Sequence, residues 1–287
     1  MGTRNLKEYR LLQGTRFELW YTNPLKKGAL MSVFVFDIET IPDCDLGRKL
    51  LKLQDVSDKE VADALFAWRM QTHQTSFLPH YLQKVVAISC VMKSADKLTV
   101  WSLGEETSPE SELVERFFAG LDRFIPTLVS WNGKGFDMPV LHYRALKHGI
   151  AAAQYWEVGE HNNQFKYNNY LNKYHYRHID LMDVLAGYTP RATAPLDHIA
   201  LMLGLPGKMG MNGSEVWGAY QAGKIAEIRD YCETDVLNTY LTYLAFERMR
   251  GELTEDALKR EHALVRETLE QSTKPYAKTF LTEWESK

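Results

Sequence analysis

SVFVFDIET, residues Ser32–Thr40, is an apolar run rich in β-formers that closes on two acids. Ser32–Phe36 reads as a buried strand. Side chains at i and i+2 share one face of a strand, so Asp37 and Glu39 project together from its end. Two carboxylates that close repel, and one tends to stay protonated unless a cation lies between them. Taken alone, the pair has a simpler reading: an ordinary strand end, with Glu39 in solvent and Asp37 capping a turn.

Working outward, Lys84–Lys93 and Lys97–Leu103 read as strands joined by a tight turn at Ser94, Ala95 and Asp96. That turn leaves no room for a crossover helix, so the pair is antiparallel. Helices are expected over 46–53 and 58–72, the second capped by Asp58. Pro109–Phe124 places Leu113, Phe117, Leu121 and Phe124 at helical spacing. Thr127–Trp131 is a further short strand, and a helix follows from about Phe136 to Lys147, stopping at Gly149. Residues 157–177, dense in Asn, Tyr, Lys and His, lack apolar periodicity. They read either as a base-stacking, phosphate-touching segment or as an ordered surface loop. Helices over 181–186, 196–204, 213–222 and 224–250 complete the pattern, with a charged helical tail after them. The expectation is an α/β fold, a central mixed β-sheet flanked by helices.

The 287 residues are 45% hydrophobic and 25% charged, an ordinary globular balance. A net charge of −3 gives no strong global field toward a polyanion, so a nucleic acid would have to be held by a local site. The cysteines, Cys44, Cys90 and Cys232, form no CxxC pair, which argues against a zinc ribbon or a disulfide scaffold and for a reducing compartment. The longest compact apolar run, Val85–Met92, is far short of the roughly 20 residues a membrane span needs. Met1–Leu30 lacks the apolar core of a signal peptide. It reads as an extension foreign to the domain behind it, with Met31 an alternative start of translation. The expected organisation is an extension over 1–30, a domain over 31–250 and a tail over 251–287, in a cytoplasmic protein.

Two further stretches carry acids. In SWNGKGFDMPVL (Ser130–Leu141), Asp137 falls in the first turn of a helix, where the dipole favours a carboxylate and Pro139 is tolerated. Lys134 and the glycines beside it offer a phosphate close approach to the backbone, although Met138 stands where a dinucleotide fingerprint needs its third glycine. In YCETD (Tyr231–Asp235), Tyr231 and Asp235 are i and i+4 and share a helix face. Alone, that pair is a core tyrosine beside a surface aspartate. Taken together, four carboxylates without Cys or His suit hard, octahedral Mg²⁺ or Mn²⁺. Two such ions roughly 4 Å apart neutralise the phosphate, the attacking oxygen and the leaving oxygen of a phosphodiester. A phenol with a pKa of about 10 is a poor base at neutral pH, so Tyr231 would orient the nucleophile.

The three stretches resemble the Exo I, Exo II and Exo III motifs of DEDDy exonucleases, which have the ribonuclease-H-like fold. SWNGKGFDMPVL is similar to the Asn-x-x-x-Phe-Asp-x-Pro-x-Leu form of family B DNA polymerase proofreading domains. From about Met31 to Arg250 the chain looks like a stand-alone bacterial family of predicted 3′→5′ exonucleases. LQKVVAISCV, HIDLMDVL and LGLPGKMGMNGSEV add to the likeness, the last with no mechanism attached. The resemblance implies that Asp37 bridges two metals, that Glu39 and Asp235 hold the metal that activates water, and that Asp137 serves the other. It implies that Tyr231 orients the nucleophile and that Thr40, Asn132 and Phe136 contact a single-stranded 3′ end. The histidine subclass carries His where this chain has Asp230, so the tyrosine subclass is indicated. Asp180 is read as an N-cap with Asp183 behind it, or as an accessory to the site. The implied activity is removal of nucleotides from the 3′ end of single-stranded DNA. The 37 residues after Arg250 in this sequence are too few for a polymerase module, so the expectation is that any proofreading or DNA-repair role acts in trans. The alternatives are RNA or short oligoribonucleotides as substrate, and a non-catalytic module that binds nucleic-acid ends or a protein.

Overall fold

The computed structural model of the chain describes residues 32–286. The extension over 1–30 and the alternative start at Met31 lie outside the described residues. The strand expected to end at Phe36 continues, and β1 runs Val33–Pro42. β2 (Gln83–Ser94) and β3 (Lys97–Ser102) lie to one side of it, β4 (Thr127–Ser130) and β5 (His178–Asp180) to the other. The sheet order is β3-β2-β1-β4-β5. β1–β2 and β2–β3 are antiparallel; β1–β4 and β4–β5 are parallel. The mixed sheet of the expected α/β fold is present, with one strand, β5, that the sequence did not announce.

Helices α1 (Cys44–Leu51) and α2 (Asp58–His73) follow β1. α3 (Glu110–Phe124) and α4 (Asp137–His148) bracket β4, and the one-turn α5 (Ala153–Trp156) comes next. After β5 come the short α6 (Leu181–Leu185), α7 (Leu196–Met202) and α8 (Val216–Gln221), then the long α9 (Ile225–Met249). The tail forms α10 (Glu255–Glu270) and α11 (Pro275–Glu285). Ser57, not Asp58, caps α2: its side chain accepts the Glu60 N–H while Glu60 returns to the Ser57 backbone. This reciprocal box satisfies two orphan donors where a lone Asp58 cap would satisfy one. Among the described residues no helix is long and apolar enough to cross a membrane.

Strand alternation decides what β1 presents to each side. Phe34, Phe36 and Ile38 join Phe117, Leu121, Met138 and Leu141 of α3 and α4 in one core. Val33 and Val35 join Val236, Leu237 and Tyr240 of α9 and Val265 and Phe280 of the tail in the other. Asp37 and Glu39 continue the α9 side. A one-residue slip would drive both acids into the phenylalanine core, and each displaced large apolar side chain would cost about 1.5–3 kcal/mol, so the register is fixed. α9 is buried on nearly every side because the sheet covers one flank and α10 and α11 another. Its sequence therefore lacks the single apolar stripe of a surface helix.

A buried ion cluster locks α4 to the sheet. Arg144 pairs with Asp43, the residue after β1, at 2.6 Å and with Glu110 at the start of α3. Glu110 also accepts the Val85 N–H of β2 at 2.7 Å. Burial works to raise the Asp43 carboxyl, but bonds from Arg144, the Leu46 N–H and Lys147 hold it down to about 2.

Candidate active site

Four elements converge around the stretch of β1 that carries Asp37 and Glu39. β4 pairs with β1 only as far as Val35, whereas β2 pairs with it out to Pro42. The acids interrupt the apolar run but not the backbone ladder, so they sit within the strand and not at its end. On the β4 side, α4 takes over: Asp137 Oδ1 accepts the Ile38 N–H at 3.1 Å. On the β2 side, Val86 is the extra residue of a bulge between the partners of Glu39 and Thr40. Bulges bend a strand and re-aim its side chains. Here Thr40 Oγ1 turns to donate to Gln83 Oε1 at 2.9 Å.

From the opposite side comes one turn of α9. The Cys232 thiol lies 3.5 Å from both the carbonyl and Oδ2 of Asp37. Ligand-capable atoms of Asp37, Glu39 and Cys232 all fall within 4.8 Å of one another. Tyr231 and Asp235 flank Cys232, and the Tyr231 hydroxyl interacts with the Asp235 carboxylate. Asp235 is buried at 9% exposure, not the surface aspartate of the simple reading; Glu39, at 8%, is likewise not in solvent.

The electrostatics follow from burying like charges together. Burial, then repulsion from Asp137, Glu39 and Asp235, raises the Asp37 carboxyl well above its ordinary value. Burial and the charges of Asp235 and Asp137 raise Glu39, with Lys208 pulling the other way. Burial pushes Asp137 up to about 7 against its hydrogen bonds, and Asp235 up to about 6 despite Tyr231 and Lys208. Burial and the surrounding carboxylates push the Tyr231 phenol up as well, so it keeps its proton.

Beside this cluster runs a groove of about 620 Å³ whose walls include Glu39, Thr40, Phe77, Phe136, Ser214 and Trp217. Phe136 packs against Phe77 and His80, each with ring centroids 5.6 Å apart. Thr40 and Phe136 thus face the groove. Asn132 is not among its walls: it stands in the turn before α4 in the left-handed conformation (φ 62°).

Asp180 explains that turn. Its carboxylate accepts the Asn132 N–H at 2.9 Å and the Lys134 N–H at 2.8 Å, and it also caps α6. Its charge contributes to raising Asp137. The glycines of the turn serve its own packing: a Cβ on Gly133 would collide with the Ser130 side chain, and one on Gly135 with the Asn132 side chain. The segment 157–177 is an ordered loop with its own aromatic core. Tyr155 stacks on the buried Tyr170, whose hydroxyl donates to the Pro126 carbonyl at 2.7 Å. Its outer tyrosines, Tyr167 and Tyr174, are exposed.

Residues 75–284 match the family described as predicted 3′–5′ exonucleases related to the exonuclease domain of PolB. The chain belongs to that family. As a member it is assigned to the hydrolases of the 3′–5′ exonuclease class, and its central mixed β-sheet flanked by helices is the α/β fold expected from the sequence. The match begins after β1, so Asp37 and Glu39 lie outside it, and it runs far enough to include α10 and α11. Among solved structures, the chain is similar to the family B DNA polymerase of Pyrobaculum calidifontis, at 15% identity and a TM-score of 0.46, over 84% of this chain and 28% of that one. It is also similar to E. coli ExoI in a zinc-bound ssDNA complex, at 11% identity and a TM-score of 0.31, over 75% of this chain and 43% of that one. The chain thus spans less than half of each of these proteins. No curated protein sequence matches it.

Two residues near these acids escaped the sequence reading. Lys208 acts electrostatically on Glu39 and Asp235. It is held by a bond from its own N–H to Asp197 at 2.7 Å, and Gly207 beside it is clamped by Asn238 of α9. The only signal was the conspicuous LGLPGKMGMNGSEV, since a lysine fixed by a loop has no local pattern. Cys232 was visible in YCETD but gave no sign of lying under Asp37.

Proposed function

We propose that Asp37, Glu39, Asp137, Tyr231 and Asp235 form the catalytic site of a metal-dependent enzyme that removes nucleotides from the 3′ end of single-stranded DNA. The observation that carries this reading is the cluster of carboxylates on β1, α4 and α9, of which Glu39, Asp137 and Asp235 are buried and Asp37 is half-buried, with Lys208 a cation acting on it. Such crowding is costly as it stands, and it is relieved when divalent cations bind among the acids. The donor oxygens suit Mg²⁺ or Mn²⁺, which Asp37, Glu39, Asp137 and Asp235 would hold. Bound there, two ions would supply an activated water and charge neutralisation on the phosphate and the leaving oxygen.

The chain's own residues do the rest. Tyr231 keeps its proton because burial and the acids raise its phenol. Its hydroxyl then aligns the nucleophile and removes no proton from it. Lys208 adds positive charge beside Glu39 and Asp235, where negative charge on a reacting phosphate needs offsetting. Thr40 and Phe136, lining the groove beside Glu39, would grip a frayed terminal nucleotide, Phe136 by stacking. Asp180 fixes the turn that carries Phe136 and Asp137, which makes it a positioning residue. Digestion of matched 3′-labelled DNA and RNA single strands with Mg²⁺ or Mn²⁺ tests the proposal. Metal-dependent shortening of DNA is expected; shortening of RNA alone would move the substrate to RNA, and none of either would overturn catalysis.

A further inference from the structure

One carboxylate in the catalytic turn of α9 points away from the others. Glu233 is completely buried, at 0% exposure, and faces β3 and the tail. Ser102 Oγ of β3 donates to its Oε1 at 2.6 Å. Tyr276 Oη, in the first turn of α11, donates to its Oε2 at 2.9 Å. The Lys274 ammonium, just before α11, reaches the same carboxylate at 3.2 Å and Asp230 at 3.3 Å. On the sheet side, Ser102 Oγ is 2.9 Å from Ser89 Oγ. Since the Ser102 proton goes to Glu233, Ser89 is the donor in that bond. Ser89 is the β2 partner of Asp37 and interacts with the Cys232 side chain, which rests on Asp37.

A buried, hydrogen-bonded chain therefore runs from the tail through Glu233, Ser102 and Ser89 to the strand position of Asp37. The side chains of Tyr231, Cys232, Glu233 and Asp235 leave a single helical turn in different directions. Fixing one of them fixes the rotation of all. Arg229, one turn earlier, adds a strap by donating to the carbonyls of Ser102, Leu103 and Gly104.

We infer that Glu233 is a positioning residue for the site under Proposed function, and that Lys274 and Tyr276 hold it there, so the C-terminal segment completes the site. Resting on that reading, Glu233 sets the height and rotation of α9 and hence the spacing of Asp235 and Tyr231 from Asp37 and Glu39. Its loss loosens the cation site while leaving the groove walls formed by Thr40, Phe77 and Phe136 untouched. Polar partners behind metal ligands typically contribute about 10–100-fold to metal affinity or activity.

The test is Mn²⁺ binding to the full-length protein, by calorimetry and by the electron spin resonance of free Mn²⁺, beside kcat and KM on a labelled DNA strand. In Glu233→Gln, Mn²⁺ affinity is expected to fall about tenfold, with kcat lower and KM for the strand unchanged. Lys274→Met and Tyr276→Phe should shift Mn²⁺ affinity in the same direction, and the three changes combined should do little more than Glu233→Gln, because they act through one anchor. Should Glu233→Gln not fold, the two tail variants carry the test alone. Variants that melt lower but bind Mn²⁺ and turn over per folded molecule like the parent would overturn the inference and leave the catalytic reading standing. A parent protein that neither binds Mn²⁺ nor cuts would overturn both.

Discussion

Asp137→Asn separates what the acids cost the fold from what they do for the reaction. Burial raises the Asp137 carboxyl from 3.8 to about 7. In the unfolded chain it ionises near its ordinary value, so folding opposes ionisation, and the opposition grows as pH rises from about 4 to about 7. Above that it is constant, at most about 4 kcal/mol, since each pKa unit corresponds to about 1.4 kcal/mol. Asparagine removes the charge and keeps the oxygen that accepts the Ile38 N–H. It forfeits about 0.3–1 kcal/mol of helix-dipole interaction. The variant is therefore expected to be more stable than the parent when metal is chelated. For a chain of this size the gain at pH 8 is on the order of 10 °C in melting temperature, shrinking toward zero near pH 4. Added Mn²⁺ should reverse the order by stabilising the parent more. Thermal unfolding in EDTA and in Mn²⁺ across pH 4–8 measures this. A variant that melts at or below the parent at pH 8 in EDTA, or a gain of equal size at pH 4, would refute the reasoning.

Tyr231→Phe should lower kcat about 10–100-fold, the worth of one hydrogen bond to a charged group, with Mn²⁺ affinity retained; unchanged turnover would remove the role of the hydroxyl. Lys208→Ala should leave Glu39 and Asp235 harder to ionise, moving the pH midpoint of Mn²⁺ binding upward and slowing cleavage on the order of tenfold. An unmoved midpoint would show Lys208 to be a bystander. Arg144→Met leaves Asp43 and Glu110 buried without their partner, so it should cost about 3–5 kcal/mol in urea unfolding. A cost under about 1 kcal/mol, the range of an exposed pair, would mean that water reaches the cluster.

The sheet was legible where strands are apolar and long. Val33–Phe36 and Val85–Met92 announce themselves through β-branched and aromatic residues, and the Ala95–Asp96 turn settles the direction of β2 and β3. β5 was not legible, because His178–Asp180 is three residues long and two of them are polar; only pairing with β4 makes it a strand. The carboxylates were legible as types and spacings, but their burial was not. Glu39 and Asp235 look like surface acids until α9 is laid over β1. The bulge at Val86 and the left-handed Asn132 depend on partners far along the chain, and no local pattern marks either. Glu233 stayed unread for the same reason: its cation lies 41 residues away, in the segment set apart as a tail.

The central claim is that the acids on β1, α4 and α9 act as one metal-dependent catalytic set. The most direct measurement is release of nucleotides from a 3′-labelled DNA strand by the parent, Asp37→Ala and Asp235→Ala, with Mn²⁺ and with EDTA, folding checked by circular dichroism. The account predicts shortening from the 3′ end by the parent with Mn²⁺ only, and none by either folded variant. Full activity in Asp37→Ala or Asp235→Ala, or activity of the parent that EDTA does not remove, would contradict it.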